Sequence, residues 1–263
     1  MRVGVIGLGH VGMNVARRLR EKNVDVVEFD RAIHDEYPAP ALGSCDFVTV
    51  CVGTPRRDDG SADLTDVVAA IEQVPTTRVL LRSTVPPGTT EQLAASTGKS
   101  VCFSPEYVGE SAFAQEDWGT WANDRLFQII GGEPSDARWF AERLTEIHGA
   151  ETRIFTCTAA EAELAKYMEN SYFALKVTFA NQFFDLCEAF DADWFAVREA
   201  WLLDPRVERD HTAVFTRSRG FGGRCLPKDL EAILHVARQA GVSFELLRAV
   251  HDINEGYRSS SPG

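Results

Sequence analysis

The sequence contains no apolar stretch that approaches the length of a membrane-spanning helix. Because Met1-Arg2 runs directly into an apolar segment typical of a strand, there is no room for a signal peptide, and we expect a cytoplasmic protein. Basic residues are few, with 27 Lys and Arg against 39 Asp and Glu, and the resulting net charge of −12 argues against a nucleic-acid partner.

The sequence also lacks the cysteine spacings typical of metal sites. Six cysteines, at positions 45, 51, 102, 157, 187 and 225, form no C-x-x-C pattern, and most lie in apolar contexts. We therefore expect reduced thiols, with neither a disulfide nor a zinc site.

Strand and helix patterns alternate over the first part of the chain. The 263 residues, 44% of them hydrophobic, can bury at least one sizeable core. The alternation predicts an α/β fold with a Rossmann-type, doubly wound parallel sheet. The predicted strands are Arg2–Ile6, Val24–Phe29, Phe47–Val52, Arg78–Arg82, Val101–Phe103 and Leu126–Ile130, and the predicted helices are Met13–Lys22, Asp63–Glu72, Thr90–Ser96 and Asp136–His148.

After Thr156 the strand signals stop. Residues 158–189 show helical periodicity without glycine or proline, and further helices are predicted at 194–202, 230–240 and 244–255. We therefore predict two domains, a Rossmann domain over residues 1–157 and an all-helical domain over residues 158–263. The long helix carries more apolar side chains than a small domain readily covers, which predicts a homodimer. These are Phe173, Val177, Phe179, Phe183 and Leu186.

A glycine pattern, Gly7-Leu8-Gly9-His10-Val11-Gly12, lies between the first predicted strand and helix. In this context the glycines allow a pyrophosphate to bind the N–H groups at the positive end of the helix. The second strand ends in Asp30, near the spacing expected for a carboxylate that binds the adenosine ribose diol. Asp30 would repel a 2′-phosphate and so favours NAD over NADP, although Arg31 next to it has the opposite charge. The alternative is an ordinary glycine turn in an α/β unit.

Cys225 lies in the glycine-rich segment Gly220–Asp229. Glycines allow positive φ angles and close approach to a ligand. Arg224 and Lys228 would favour the thiolate over the thiol, and Asp229 adds a carboxylate for proton transfer. A buried structural cysteine is the alternative. The surrounding glycines and charges favour a nucleophile.

Further polar motifs follow predicted strands or lie on the long helix. Ser83–Gly88 and Ser104–Glu110 each follow a strand, so we expect them at the carboxyl edge of the sheet, facing the nicotinamide. Lys166 and Asn170 are four residues apart on one helix face and could hold an oxygen with developing negative charge. Taken alone, these motifs have plainer alternatives, a loop surface or a solvated helix face.

Together the motifs closely resemble the UDP-glucose/GDP-mannose dehydrogenase family, in the order in which that family carries them. The matching segments are Gly7–Gly12, Cys51–Pro55, Ser83–Pro86, Pro105-Glu106, Glu163–Tyr167 with Asn170, Asp204–Arg206 and Gly220–Asp229. The resemblance implies NAD-dependent oxidation of a primary alcohol through the aldehyde to the carboxylic acid, with two NAD and one enzyme-bound thioester.

The resemblance also implies roles at the matching positions. Cys225 would be the nucleophile, Asp229 with a water would handle the alcohol proton, and Lys166 with Asn170 would stabilise the oxyanion. Hydrolysis of the thioester would need a water activated by Glu106, with Thr84 positioning water nearby. The predicted cofactor-binding residues are Gly7, Gly9, His10, Val11, Gly12, Asp30, Arg31, Val52, Gly53, Thr54, Ser83 and Thr84.

The substrate is expected to be anionic. From Arg206 to Lys228 there are six basic residues against two acidic ones, and arginine forks suit phosphate groups. A solvated basic face or contacts across a dimer are the alternatives, and the resemblance implies that Arg206 reaches the partner subunit's site. The predicted substrate-binding residues are Glu106, Tyr107, Val108, Glu110, Lys166, Asn170, Arg206, Arg217, Arg219, Gly222 and Cys225.

The chain also departs from the family pattern. Relatives continue into a third, nucleotide-binding domain, and they are longer between Asp30 and Cys51, where this chain has Tyr37–Pro40. We expect a compact natural variant that oxidises a phosphorylated, phosphonate or nucleotide-linked primary alcohol. The alternatives are a two-electron alcohol dehydrogenase that stops at the aldehyde and a non-catalytic NAD-binding paralogue.

Overall fold

The fold is taken from a computed structural model, which describes residues 1–107 and 127–260. The chain forms two compact units. The first comprises Met1–Pro55 and Ala62–Lys166, and the second comprises Arg56–Ser61 and the described residues from Tyr167 onward.

The first unit contains a seven-stranded sheet in the order β2-β1-β3-β4-β5-β6-β7. Its strands are β1 (Arg2–Ile6), β2 (Asp25–Phe29), β3 (Phe47–Val50), β4 (Arg78–Leu81), β5 (Ser100–Phe103), β6 (Phe127–Gly131) and β7 (Arg153–Cys157). Strands β1 to β5 pair in parallel, and β1 lies between β2 and β3, so the strand order reverses there. The predicted Rossmann-type sheet is confirmed.

The far edge of the sheet differs from a purely parallel arrangement. Strand β6 runs antiparallel to β5, which it meets at Phe103 and Gly131, while β7 is parallel to β6. Strand β7 is absent from the predicted strands. This strand lies at the edge and is half exposed, so Arg153–Cys157 lacks the continuous apolar run that marks a central parallel strand.

Helices cover both faces of the sheet. Leu80 and Leu81 belong to different hydrophobic clusters because successive strand residues point to opposite faces. The helices of the first unit are α1 (His10–Glu21), α2 (Ala39–Gly43), α3 (Thr65–Gln73), α4 (Thr89–Thr97) and α5 (Pro134–His148). Helix α2 is absent from the predicted helices; it has only five residues, with Pro40 in its first turn, where proline is tolerated.

The second unit is helical over the residues that the structure describes. Its helices are α6 (Ala159–Ala189), which begins in the first unit, α7 (Trp194–Trp201), α8 (Leu226–Gln239) and α9 (Glu245–Ser260). Helix α8 begins four residues before the predicted start, with Pro227 in its first turn. Within the described ranges, no helix is both long enough and apolar enough to cross a bilayer.

Candidate active site

The glycine loop after β1 has the backbone geometry of a dinucleotide-binding turn. Gly7 has a φ of +87°, and a Cβ atom there would lie 2.9 Å from the backbone of Cys51. A Cβ atom on Gly12 would lie 1.7 Å from the Gly7 carbonyl oxygen, whereas one on Gly9 would meet nothing within 4 Å. Helix α1 starts at His10 with no acidic residue in its first turn. The open backbone and the positive helix end therefore fit a pyrophosphate.

Asp30 lies directly beside this loop. One carboxylate oxygen accepts the Leu8 N–H at 2.7 Å, and the other accepts the Ala32 N–H at 2.8 Å. Arg31 makes a two-point ion pair with Asp66 of α3, at 2.8 and 2.9 Å. The Arg31 guanidinium, next to Asp30 in the chain, is therefore paired with the Asp66 carboxylate of the same unit.

Two further predicted cofactor segments meet after β3 and β4. The Ser83 hydroxyl donates to the Val52 carbonyl at 2.7 Å, which joins the segment after β4 to the segment after β3. Thr54 is buried, Thr84 is half-buried and Gly53 is exposed. The segments after β3 and β4 therefore lie next to each other in the first unit.

Glu163 anchors the start of α6 to the segment after β4. Its fully buried carboxylate accepts the Gly88 N–H at 2.6 Å, the Thr90 N–H at 2.9 Å and the Thr90 hydroxyl at 2.6 Å. Burial raises the pKa of Glu163, and the hydrogen bonds from Thr90 and Gly88 oppose that rise. Lys166, one turn later, is 8% exposed, and its ammonium lies 4.6 Å from the centre of the Tyr107 ring. The first unit thus brings Lys166 and Tyr107 together.

The Glu106 side chain, 9% exposed, is held by a cation that the sequence analysis missed. Its carboxylate accepts from Arg82 at 3.2 Å and from the Tyr107 N–H at 3.0 Å. Arg82 also donates to Gln128 at 3.3 Å. The pocket around this ion pair includes His148, whose pKa is lowered to about 4 by burial and then by the charge of Arg82. A charged residue directly after an apolar strand was the available signal for Arg82.

Residues 218–225, the cysteine loop, lead into α8 and contain two residues with positive φ, Gly220 at +74° and Gly223 at +79°. Cys225 is partly exposed and directly precedes the first helical residue, and its carbonyl accepts the Asp229 N–H at 3.0 Å. Arg224 beside it is exposed. A partly exposed thiol at a helix N-terminus is typical of a nucleophilic cysteine.

Asp229, 2% exposed, has a partner on each carboxylate oxygen. One oxygen accepts from the Asn170 amide at 2.6 Å, and the other accepts from the Lys228 ammonium at 2.5 Å. The structure therefore brings together Asn170 and Asp229, two predicted catalytic residues. Lys228, which was expected to favour the Cys225 thiolate, pairs with Asp229, and its effect on the thiol stays a prediction. A buried carboxylate that is paired and hydrogen-bonded keeps a defined orientation.

Arg219, a predicted substrate-binding residue, makes several contacts with other residues of the second unit. Its guanidinium lies 4.6 Å from the ring centres of both Phe184 and Tyr257. It donates to the side-chain oxygen of Asn181 at 2.6 Å, to the backbone carbonyl of Asn181 at 2.9 Å and to the Asp185 carboxylate at 2.6 Å. Through these contacts the guanidinium holds the cysteine loop against α6.

The other predicted substrate residues are more open. The Arg206 side chain is 88% exposed and pairs with Asp204 at 2.6 Å, and Arg217 is exposed. Their substrate roles stay predictions. Val108 and Glu110 lie outside the described residues.

Cys51 and Cys102 are buried in the first unit. Burial raises the pKa of both Cys51 and Cys102 to about 12, so these thiols stay protonated at neutral pH. In the ranges that the structure describes, no three His, Cys, Asp or Glu side chains are grouped as metal ligands.

Comparison with known families agrees with this geometry. The model of the NAD-binding domain of the UDP-glucose/GDP-mannose dehydrogenase family matches residues 36–150, and the model of the family's central domain matches residues 160–256. The chain belongs to this family. It contains the family's NAD-binding domain, and the predicted family and cofactor are confirmed.

Solved structures of the family superimpose on the chain. A UDP-glucose dehydrogenase from the archaeon Pyrobaculum islandicum is 30% identical with a TM-score of 0.82, over 97% of this chain and 68% of that one. A UDP-D-ManNAc dehydrogenase from Pyrococcus horikoshii is 29% identical with a TM-score of 0.77, over the same shares of the two chains.

Curated relatives of the family are longer than this chain. The UDP-glucose 6-dehydrogenase TuaD of Bacillus subtilis is 31% identical over 271 residues, which cover 98% of this chain and 55% of that protein. The match to the Bacillus subtilis enzyme YwqF, at 29% identity, covers 83% of this chain and 50% of that one. The chain thus spans about half the length of these two relatives.

Proposed function

We propose that this protein is an NAD-dependent oxidoreductase that converts the primary alcohol of a nucleotide-linked sugar to the carboxylic acid, through the aldehyde and a thioester on Cys225. The observation that carries the proposal is the partly exposed thiol before α8, with the buried, hydrogen-bonded Asp229 one turn later. The solved relatives named for UDP-glucose and UDP-D-ManNAc support a nucleotide-linked sugar as the substrate class.

In the first oxidation, Asp229 receives the alcohol proton through a water while a hydride leaves the carbinol carbon. NAD, when bound, would accept the hydride of the first oxidation, and a second NAD, exchanged for the NADH, would accept that of the second. The Cys225 thiolate then adds to the aldehyde carbon, and Lys166 and Asn170 stabilise the negative charge that develops on its oxygen. Loss of a second hydride from this thiohemiacetal leaves a thioester on the sulfur.

Hydrolysis completes the reaction. Glu106 removes a proton from a water, which adds to the thioester carbonyl, and the C–S bond breaks to release the acid and the Cys225 thiolate. Arg82 supports this role because it holds the Glu106 carboxylate at 3.2 Å. Thr84 positions water for the same step.

Formation of NADH tests the proposal. The protein is incubated with NAD and, in separate reactions, UDP-glucose, UDP-ManNAc, GDP-mannose and small phosphorylated or phosphonate alcohols. We expect a nucleotide sugar to give two NADH and one acid per molecule consumed, measured by absorbance and mass spectrometry. Release of aldehyde with one NADH would identify a two-electron alcohol dehydrogenase instead. Turnover of the small alcohols alone would contradict the nucleotide-linked class.

The protein is expected to bind NAD at least tenfold more tightly than NADP, because the Asp30 carboxylate meets a 2′-phosphate with like charge. Such a contact costs on the order of 1 kcal/mol or more. Asp66→Asn should raise the affinity for NADP severalfold while leaving that for NAD unchanged, since it releases the Arg31 guanidinium. Titration calorimetry measures both affinities, with Glu72→Gln on the same helix as the control. Equal binding of NAD and NADP by the wild type would contradict the assignment.

The protein is also expected to form a homodimer through α6. Phe179 and Phe183 are each 43% exposed, with ring centres 4.7 Å apart, and Leu186 is 50% exposed. Val177 is buried, so it does not contribute to this exposed surface. Light scattering should give twice the chain mass of 29.1 kDa, because an exposed patch of this kind favours association.

Single substitutions on α6 test this surface. Phe183→Glu should shift the protein toward the monomer, while Glu188→Gln, exposed on the opposite side of the helix from Phe179, should leave the dimer intact. A wild type that scatters as a monomer at micromolar concentration would rule out the dimer.

A further inference from the structure

The cysteine loop is held from its first residues by the last helix of the second unit. Asn254 of α9 is 2% exposed. Its carbonyl oxygen accepts the Phe221 N–H at 2.7 Å, and its amide donates to the Phe221 carbonyl at 3.1 Å. One buried side chain therefore satisfies both backbone groups of a residue four positions before Cys225.

A second buried asparagine holds the preceding residues. Asn181 of α6 is 1% exposed, and its carbonyl oxygen accepts from the Arg219 guanidinium at 2.6 Å and from the Gly220 N–H at 3.2 Å. Its amide donates to the Val177 carbonyl at 2.8 Å, which fixes its orientation. The start of the loop is thus anchored to two helices of the second unit.

The fit between α9 and the loop depends on glycine. A Cβ atom on Gly220 would lie 2.5 Å from the Asn254 carbonyl oxygen. One turn later, Arg258 donates to the Ser218 hydroxyl at 3.0 Å, and its guanidinium lies 3.3 to 3.4 Å from the Cβ position of Gly222. Asn254 and Arg258 are four residues apart and present one helix face to the loop.

We propose that this face of α9 positions the nucleophile, with Asn254 and Arg258 acting through the loop on Cys225. A segment with three glycines has many accessible conformations, so contacts from outside the loop must select one. Fixing both backbone groups of Phe221 sets the direction in which the chain enters Gly222 and Gly223. Small displacements of a reacting atom lower rates strongly. The catalytic part of this inference rests on the proposed function.

Two substitutions test the proposal. Asn254→Leu keeps the approximate volume of the side chain but removes both hydrogen bonds to Phe221. Arg258→Met removes the hydrogen bond to Ser218, and because Arg258 is exposed we expect this variant to fold. Asn254→Asp can still accept the Phe221 N–H, and Arg258→Lys can still donate to the Ser218 hydroxyl. Glu255→Ala, exposed on the same helix, is the control.

The first readout is the rate at which iodoacetamide alkylates Cys225, measured by peptide mass spectrometry. We expect this rate to fall at least threefold in Asn254→Leu and less in Arg258→Met, with the conservative variants recovering part of the loss. NAD affinity, which reports the first unit, should not change. The alkylation rate needs no substrate, so it tests the positioning even if the proposed oxidation is wrong.

The second readout is steady-state turnover. We expect kcat to fall about tenfold in Asn254→Leu, with the substrate KM within about twofold of the wild type. If both variants bind NAD normally while alkylation and kcat equal those of the wild type, the proposal is overturned. If Asn254→Leu fails to fold, Arg258→Met and its lysine counterpart decide the outcome alone.

Discussion

Cys225→Ala is expected to abolish formation of the carboxylic acid, with a loss of about a thousandfold or more, because no other group supplies the sulfur on which the aldehyde is trapped. Cys225→Ser should retain part of the first oxidation and release aldehyde, since that step does not use the sulfur. Product analysis by mass spectrometry and the number of NADH formed per substrate distinguish the two oxidations.

Cys157→Ser is the matched control, because Cys157 is also partly exposed but lies in β7, outside the loop. Its turnover should equal that of the wild type. Full four-electron turnover by Cys225→Ala would show that the covalent route is wrong, while leaving the fold and the cofactor assignment unchanged.

Glu106→Gln is expected to trap the thioester. The amide can still accept a hydrogen bond from Arg82, but it cannot take a proton from water, and loss of a general base lowers rates by about 10²- to 10⁴-fold. A burst of two NADH per subunit should precede slow turnover. Intact-protein mass spectrometry should show the added acyl group, and peptide mapping should locate it on Cys225.

Glu161→Gln, which changes an exposed carboxylate on α6, should show neither the burst nor the adduct. Steady turnover by Glu106→Gln without an adduct would mean that another group activates the water. The ion pair with Arg82 also predicts that Arg82→Lys hydrolyses the thioester faster than Arg82→Met, since only the lysine keeps a cation beside Glu106.

The elements that were predicted correctly are marked by a pattern in residues that are neighbours in the chain. The run Arg2–Ile6 is apolar and β-branched because β1 lies between two neighbouring strands, and the glycine spacing after it reports a turn whose geometry only glycine allows. Strand β7 was missed because an edge strand is half exposed and carries a weaker pattern.

The residues of the candidate site likewise differ in whether a local sequence pattern marks them. Asp30, Cys225 and Asp229 stand in recognisable local patterns, so a role for each can be proposed from the chain alone. Their partners do not stand nearby in the chain. Arg82 pairs with Glu106 across 24 positions, and Asn254 reaches Phe221 across 33.

The amino-acid sequence by itself therefore determined the Rossmann-type sheet, the NAD cofactor and the family, because these depend on periodicity, spacing and residue types that are read along the chain. Only the tertiary structure decided which groups hold the functional side chains. It directed Arg31 to Asp66 and Lys228 to Asp229. Burial decides the second pairing, because the Asp229 carboxylate is removed from water and must find partners within reach. The Arg31 side chain is 75% exposed, so its pairing depends only on which carboxylate folding places nearby.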